Sequence, residues 1–257
     1  MASASFFELS AKNERWIVLG GLGLVVAFGL IVTQRVGDGL MMLTMRGEAE
    51  PLYAVSLFVM WLTMMMAMML PSAAPAILTF AAISRKFSSH AERAAPVAFF
   101  AAGYVAIWAG FSLVITVLQI LVSGKLMLSM MMAVTSSFVG AGLLTAAGIY
   151  QLSPFKLSCL RKCQSPLMFL ARNWRKGRRG AFQMGFEHGI YCIGCCWVLM
   201  GLLFYGGVME LRWIVGLAIY VAIEKLIPAG NLLSRFAGLL LIGWGMWTVW
   251  QAAYLIS

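Results

Sequence analysis

An all-α, polytopic transmembrane bundle of about seven helices is the fold this sequence predicts, and three observations predict it. Of 257 residues, 62% are hydrophobic and only 11% charged, with a mean hydropathy of +0.90, which lies outside the range of soluble domains. Charge-poor runs long enough to cross about 30 Å of hydrocarbon as helix recur along the chain. Lysine and arginine alternate between the connections, as the positive-inside rule requires.

Taken in order, the first run covers residues 16–34. It is long and ends in Thr33-Gln34-Arg35 rather than in a small-residue cleavage site, so it is expected to be a retained span and not a secretory signal. Runs at 53–83, 96–122 and 126–150 supply three more, and a basic segment at 153–180 is expected to be a cytoplasmic loop. The fifth span is expected at 181–207 and the last at 235–256. Between them, 211–228 is short and carries Glu224 and Lys225, but a span there returns the chain to the correct side.

The charges give the orientation. The N-terminus (Lys12, Arg15), the second connection (Arg85, Lys86, Arg93), the fourth (Lys156, Arg161, Lys162, Arg172, Arg175, Lys176, Arg178, Arg179) and the sixth (Arg235) hold fourteen cations. The opposite connections hold four: Arg35, Arg46, Lys125 and Arg212. The N-terminus is therefore expected in the cytoplasm and the C-terminus in the periplasm, with the chain forming one multi-pass domain in a bacterial inner membrane. The net charge of +10 reads as topology and contact with anionic lipid. Nucleic acid is not an expected partner, because no basic platform interleaved with aromatics appears.

The chemistry concentrates between Met184 and Cys196, Met-Gly-Phe-Glu-His-Gly-Ile-Tyr-Cys-Ile-Gly-Cys-Cys. At about 100° per residue, Met184, His188, Cys192 and Cys195 fall at roughly −40°, 0°, 40° and −20°, with Cys196 near 80°. A thioether, an imidazole and two thiols thus share one helix face, a donor set that selects Cu(I), zinc or iron–sulfur clusters over Mg or Ca. Cys159 and Cys163, four apart in Cys-Leu-Arg-Lys-Cys, meet on one face if that segment is helical. All five cysteines fall on the expected reducing side, which favours thiolate chemistry over a disulfide framework.

A second soft-donor run lies in the second span, where Met60, Met64 and Met68 form an i, i+4, i+8 stripe among Met65, Met66 and Met69. Thioethers bind Cu(I) without deprotonation, and adaptable packing is the alternative use of so much methionine. Met41, Met42, Met45 and Met127 to Met132 map outward and the thiols inward, an order suited to a monovalent copper path. Pro71 and Pro75 are expected to interrupt the helical ladder beside the methionines.

An acid inside a bilayer costs roughly 2.5 to 3.5 kcal/mol on insertion scales and marks function by default. Glu224 is expected to orient His188 through a hydrogen bond, as metal-bound imidazoles require. Glu187 is expected to snorkel beside it, Lys225 to act as an interfacial anchor, and His90 to be solvated.

The segments Trp61 to Pro75, Cys159 to Cys163, Gly185 to Trp197 and Glu224 to Pro228 resemble a bacterial family of predicted metal-binding integral membrane proteins, sometimes labelled copper chaperones. The resemblance covers roughly residues 50 to 250 and implies a polytopic metal-binding protein using the donors already named. The resulting expectation is a non-enzymatic Cu(I)-binding membrane protein that holds, delivers or translocates copper, with a cuproenzyme as partner. Its ligands are expected to be Cys192, Cys195 and His188, supported by Met184, Cys196, Met64, Met68, Cys159 and Cys163. Zinc, or no metal, is the alternative for the same residues. Two other functions remain open: a membrane thiol-disulfide oxidoreductase using Cys192 and Cys195, and a subunit or scaffold of a larger membrane complex.

Overall fold

The computed structural model describes residues 20, 23–24, 26–39, 50–84, 94–126 and 136–254. Every regular element among them is helical. Helix α1 is described over 26–39, and α2 spans Glu50–Ser84, α3 Ala94–Leu126 and α4 Ser137–Leu152. Then follow α5 (Pro154–Gln164), α6 (Pro166–Asn173), α7 (Gly177–Gly201), α8 (Leu203–Gly206), α9 (Leu211–Leu226) and α10 (Gly230–Tyr254). Met41, Met42, Met45, His90 and Met127 to Met132 lie outside the described residues, as do the beginning of the first expected span and that of the fourth.

Four helical stretches among the described residues are long and apolar enough to cross a membrane: Pro51–Ser84, Ala95–Leu121, Gly177–Gly206 and Gly230–Tyr254. A fifth results if α4 and α5, which meet at a bend of 65°, are taken as one broken span. Helix α9 has 16 residues, short of the ~20 that a straight span needs.

The segment expected as a basic loop instead folds as α5 and α6. Proline begins each of them, where its missing N–H leaves no helical bond unmade and its fixed φ suits a first turn. Ser153 caps α5 by accepting the backbone N–H of Lys156 at 3.2 Å. Cations on short helices still satisfy the inside-positive asymmetry, so composition alone could not separate loop from helix here.

Helix α2 is unbroken through Pro71 and Pro75. Side-chain hydroxyls fold back on its carbonyls: Ser72 Oγ donates to Met69 O at 2.8 Å and Thr79 Oγ1 to Pro75 O at 2.6 Å. Neither contact reaches the carbonyls of Ala67 and Pro71, the two that the prolines leave without their i+4 N–H. A cavity of about 240 Å³ does open beside Pro71, between α1, α2 and α9, but its walls are apolar and Met68 is one of them.

Helix α7 is held at the centre. It packs along α3 and carries α5 on another side. At the α3–α7 crossing, a Cβ on Gly185 would run into the Phe100 carbonyl and one on Gly103 into the Phe182 carbonyl. Only glycine permits this approach, the usual route to close helix packing in lipid. The core that results joins Met60, Met64 and Met69 of α2, Phe100 and Tyr104 of α3, and the α7 thiols.

Candidate metal centre

Helix periodicity puts Met184, His188, Cys192, Cys195 and Cys196 on the inward side of α7, and all five are buried. The thiols of Cys195 and Cys196 both turn back to the Cys192 carbonyl, at 3.1 and 3.0 Å. Serine, threonine and cysteine side chains satisfy themselves this way on apolar helices when no better acceptor exists.

Three other helices complete the surroundings of Cys192. From α3, the Tyr104 hydroxyl lies 3.0 Å from Cys192 Sγ and also reaches Met69 O at 3.1 Å. From α9, Lys225 Nζ donates to Cys192 Sγ at 2.9 Å and to Ser72 Oγ at 3.2 Å. From α2, Met69 Sδ stands 3.9 Å from Cys196 Sγ and 4.0 Å from Lys225 Nζ. The thiols of Cys192 and Cys196 are themselves within hydrogen-bonding reach. One thiol, one thioether and one hydroxyl therefore surround a single ammonium group, and a second thiol, that of Cys196, lies beside the thioether.

The thiol series continues toward α5. Cys196 neighbours Cys195, and Cys195 neighbours the half-buried Cys163. Cys159, buried one turn earlier on α5, packs its sulfur against Gly194, where any Cβ would strike it. The helical fold of 154–164 is what brings the second cysteine pair to the first.

Not every expected donor joins this group. Met68 faces the apolar cavity beside α1, whereas Met69, rotated by about 100°, faces the thiols. Met64 and Met184 share the packed core with the thiols. His188 is boxed by the rings of Phe169, Tyr104 and Phe100 at 5.4, 6.1 and 6.3 Å, and its Nδ1 is buried without a hydrogen-bond partner.

Glu224 does not orient His188. Its Oε1 accepts from Lys156 Nζ and from Tyr220 OH, the latter at 3.1 Å, so the carboxylate is turned toward α5. Lys156, read from sequence as one of the topological charges, is fully buried in that ion pair. Glu187 pairs with Arg175 at 2.7 Å on the partly exposed side of α7. Lys225 is no interfacial anchor, since only 5% of its surface is exposed.

Sequence reasoning missed Met69, Tyr104, Ser72 and Lys225. An intramembrane lysine is as strong a functional signal as an intramembrane acid, so Lys225 was recoverable by the argument that singled out Glu224. Nothing in the sequence distinguishes Tyr104 from the other aromatics of α3.

Among the described residues, no three histidine, cysteine or acidic side chains converge as a ready cage for a metal ion. A four-donor structural zinc site is therefore not prebuilt. The sulfur cluster, with one thioether and two thiols, has the softness that suits an ion content with few donors.

A family model described as copper chaperone, PpoB2, matches residues 58–248. The match includes α2 from Phe58 onward, all three helices that face Cys192, and most of α10. No curated protein matches this chain, and no solved structure does.

Proposed function

The chain belongs to the PpoB2 copper chaperone family, and from that premise we propose that it binds Cu(I) within the bilayer at Cys192, Cys196 and Met69. The observation that supports this most is a thioether beside a pair of neighbouring thiols. Met69 Sδ and Cys196 Sγ lie 3.9 Å apart, and small side-chain rotations close such a gap around one ion. Two thiolates and a thioether form a soft donor set, which holds Cu(I) without the geometric demands of zinc. His188, with an unsatisfied Nδ1 one turn away, is a further donor.

Transfer proceeds by ligand exchange along the thiols, one sulfur attaching before another leaves. Cys195 takes the ion from Cys196, and Cys163 receives it at the edge of α5. In the orientation given by the basic residues, with the N-terminus in the cytoplasm and the C-terminus in the periplasm of an inner membrane, Cys163 is the cytoplasmic end of the route. A cuproenzyme is the recipient this reading implies.

The test is anaerobic loading of detergent-purified protein with Cu(I), read by mass spectrometry. About one copper per chain is expected for a single soft-donor site, lost when Cys192→Ser and Cys196→Ser are combined. Copper kept by that double variant sinks the assignment.

The contact of Lys225 with Cys192 favours a second reading, a thiol–disulfide oxidoreductase, because a nearby cation suits a reactive thiolate. Met69→Leu separates the two: it weakens copper binding and leaves thiol exchange unchanged.

A further inference from the structure

Lys225 occupies an unusual position for a buried lysine. Its ammonium has two sulfurs and one hydroxyl as neighbours, Cys192 Sγ at 2.9 Å, Met69 Sδ at 4.0 Å and Ser72 Oγ at 3.2 Å. No carboxylate pairs with it among the described residues. The adjacent acid, Glu224, is committed to Lys156. That second ion pair is internally balanced, so it adds no net charge to the sulfur cluster. Tyr104, the other polar group on Cys192, contributes a neutral hydroxyl.

A buried charge without a counter-charge is strongly unfavourable. With Lys225 held as the ammonium, the cluster is neutral only when its sulfurs carry one negative charge. A monovalent ion held by two thiolates has a charge of minus one, and Lys225 cancels it. A divalent ion held by the same two thiolates is neutral, which leaves Lys225 unbalanced. A third thiolate would restore balance for the divalent ion, but no three cysteine, histidine or acidic side chains converge among the described residues.

We infer that Lys225 is the residue that determines metal valence at this site, a fixed counter-cation that makes the pocket neutral with a soft monovalent ion and charged with a divalent one. This rests on the copper reading of the same sulfurs. Uptake is balanced atom for atom. Cys192 enters as the thiolate partner of Lys225, Cys196 gives its proton to solvent, and three sulfur–metal bonds form, two to thiolates and one to the Met69 thioether, as one cation arrives and sheds its previous ligands and one proton leaves. No electron moves. Lysine suits the task because its charge is compact and its stem flexible, so it can withdraw from Cys192 Sγ as the ion settles without leaving the pocket.

The experiment is a competition in detergent under anaerobic conditions, with equal concentrations of Cu(I), supplied as its acetonitrile complex, and Cd(II), read as bound metal per chain. Wild type is expected to take Cu(I) and largely exclude Cd(II). In Lys225→Met the bound Cu(I)-to-Cd(II) ratio is expected to fall by about tenfold or more, because the charge penalty reverses sign. Lys225→Arg keeps the charge and is expected to keep the preference. An unchanged ratio in Lys225→Met overturns the inference while leaving the copper reading intact, and failure of wild type to bind Cu(I) overturns the copper reading itself. Should Lys225→Met not yield monodisperse protein, wild type decides alone: Cd(II) bound as readily as Cu(I) refutes the inference, and its exclusion supports it.

Discussion

Two neighbouring residues of α9 enter two different buried polar sites, and the contrast separates structure from chemistry. Glu224 turns toward α4, α5 and α10, where Gln151, Lys156 and Ser234 form a connected network with Tyr220 of α9 itself. Lys225 turns toward α2 and α7, where its partners are sulfurs and a hydroxyl. Each site buries one lysine completely or almost so. In the first the counter-charge is a carboxylate supplied by the fold. In the second, among the described residues, it is available only from thiols, the same groups proposed as metal ligands. A closed ion pair ties helices together, whereas on the proposed reading an ammonium that relies on sulfur leaves the site ready to exchange a proton for a soft cation.

The largest expected effect comes from breaking the closed pair. Glu224→Ala strands Lys156 in the core and is expected to cost about 3–5 kcal/mol, seen as a large fall in melting temperature in detergent. Combining Glu224→Gln with Lys156→Met removes both charges and is expected to restore most of that loss. If the double variant is as unstable as Glu224→Ala, the pair is not the structural tie described.

On the sulfur side, Met69→Leu is expected to weaken Cu(I) binding about tenfold, near 1.4 kcal/mol, by removing one soft donor while keeping volume. A competition titration with a Cu(I) chelator measures it. Tyr220→Phe follows at about 1–2 kcal/mol of stability, since it removes two hydrogen bonds, one accepted from Gln151 and one donated to Glu224, with copper affinity unchanged. Met68→Leu closes the series: it faces the apolar cavity, and its effect on copper binding is expected to be within about 0.5 kcal/mol of none. If Met68→Leu harmed binding as much as Met69→Leu, the sulfur cluster would be wrongly drawn.

The helices were legible because apolar runs of membrane-spanning length leave few alternatives to helix in lipid. So was the inward stripe of α7, because helical spacing places its donors on one side without reference to any other part of the chain. Helices α5 and α6 were not, since their cations look the same in a loop as on a short helix. Which methionine lies beside the thiols was not legible either, for a related reason. Methionine appears on every side of α2 between Met60 and Met69, so periodicity cannot say which side meets the thiols. Lys225 and Glu224 exposed the deeper limit. Their partners come from α2, α5 and α7, and only the assembled bundle decides which of two adjacent charges meets sulfur and which meets its opposite charge.

The most direct test of the sulfur cluster is X-ray absorption at the copper edge on wild-type protein loaded with Cu(I) under anaerobic conditions. The expected spectrum is that of Cu(I) in a shell of sulfur, with one scatterer lost in Met69→Leu. A shell dominated by nitrogen or oxygen, or a spectrum untouched by Met69→Leu, would contradict a site built from Cys192, Cys196 and Met69.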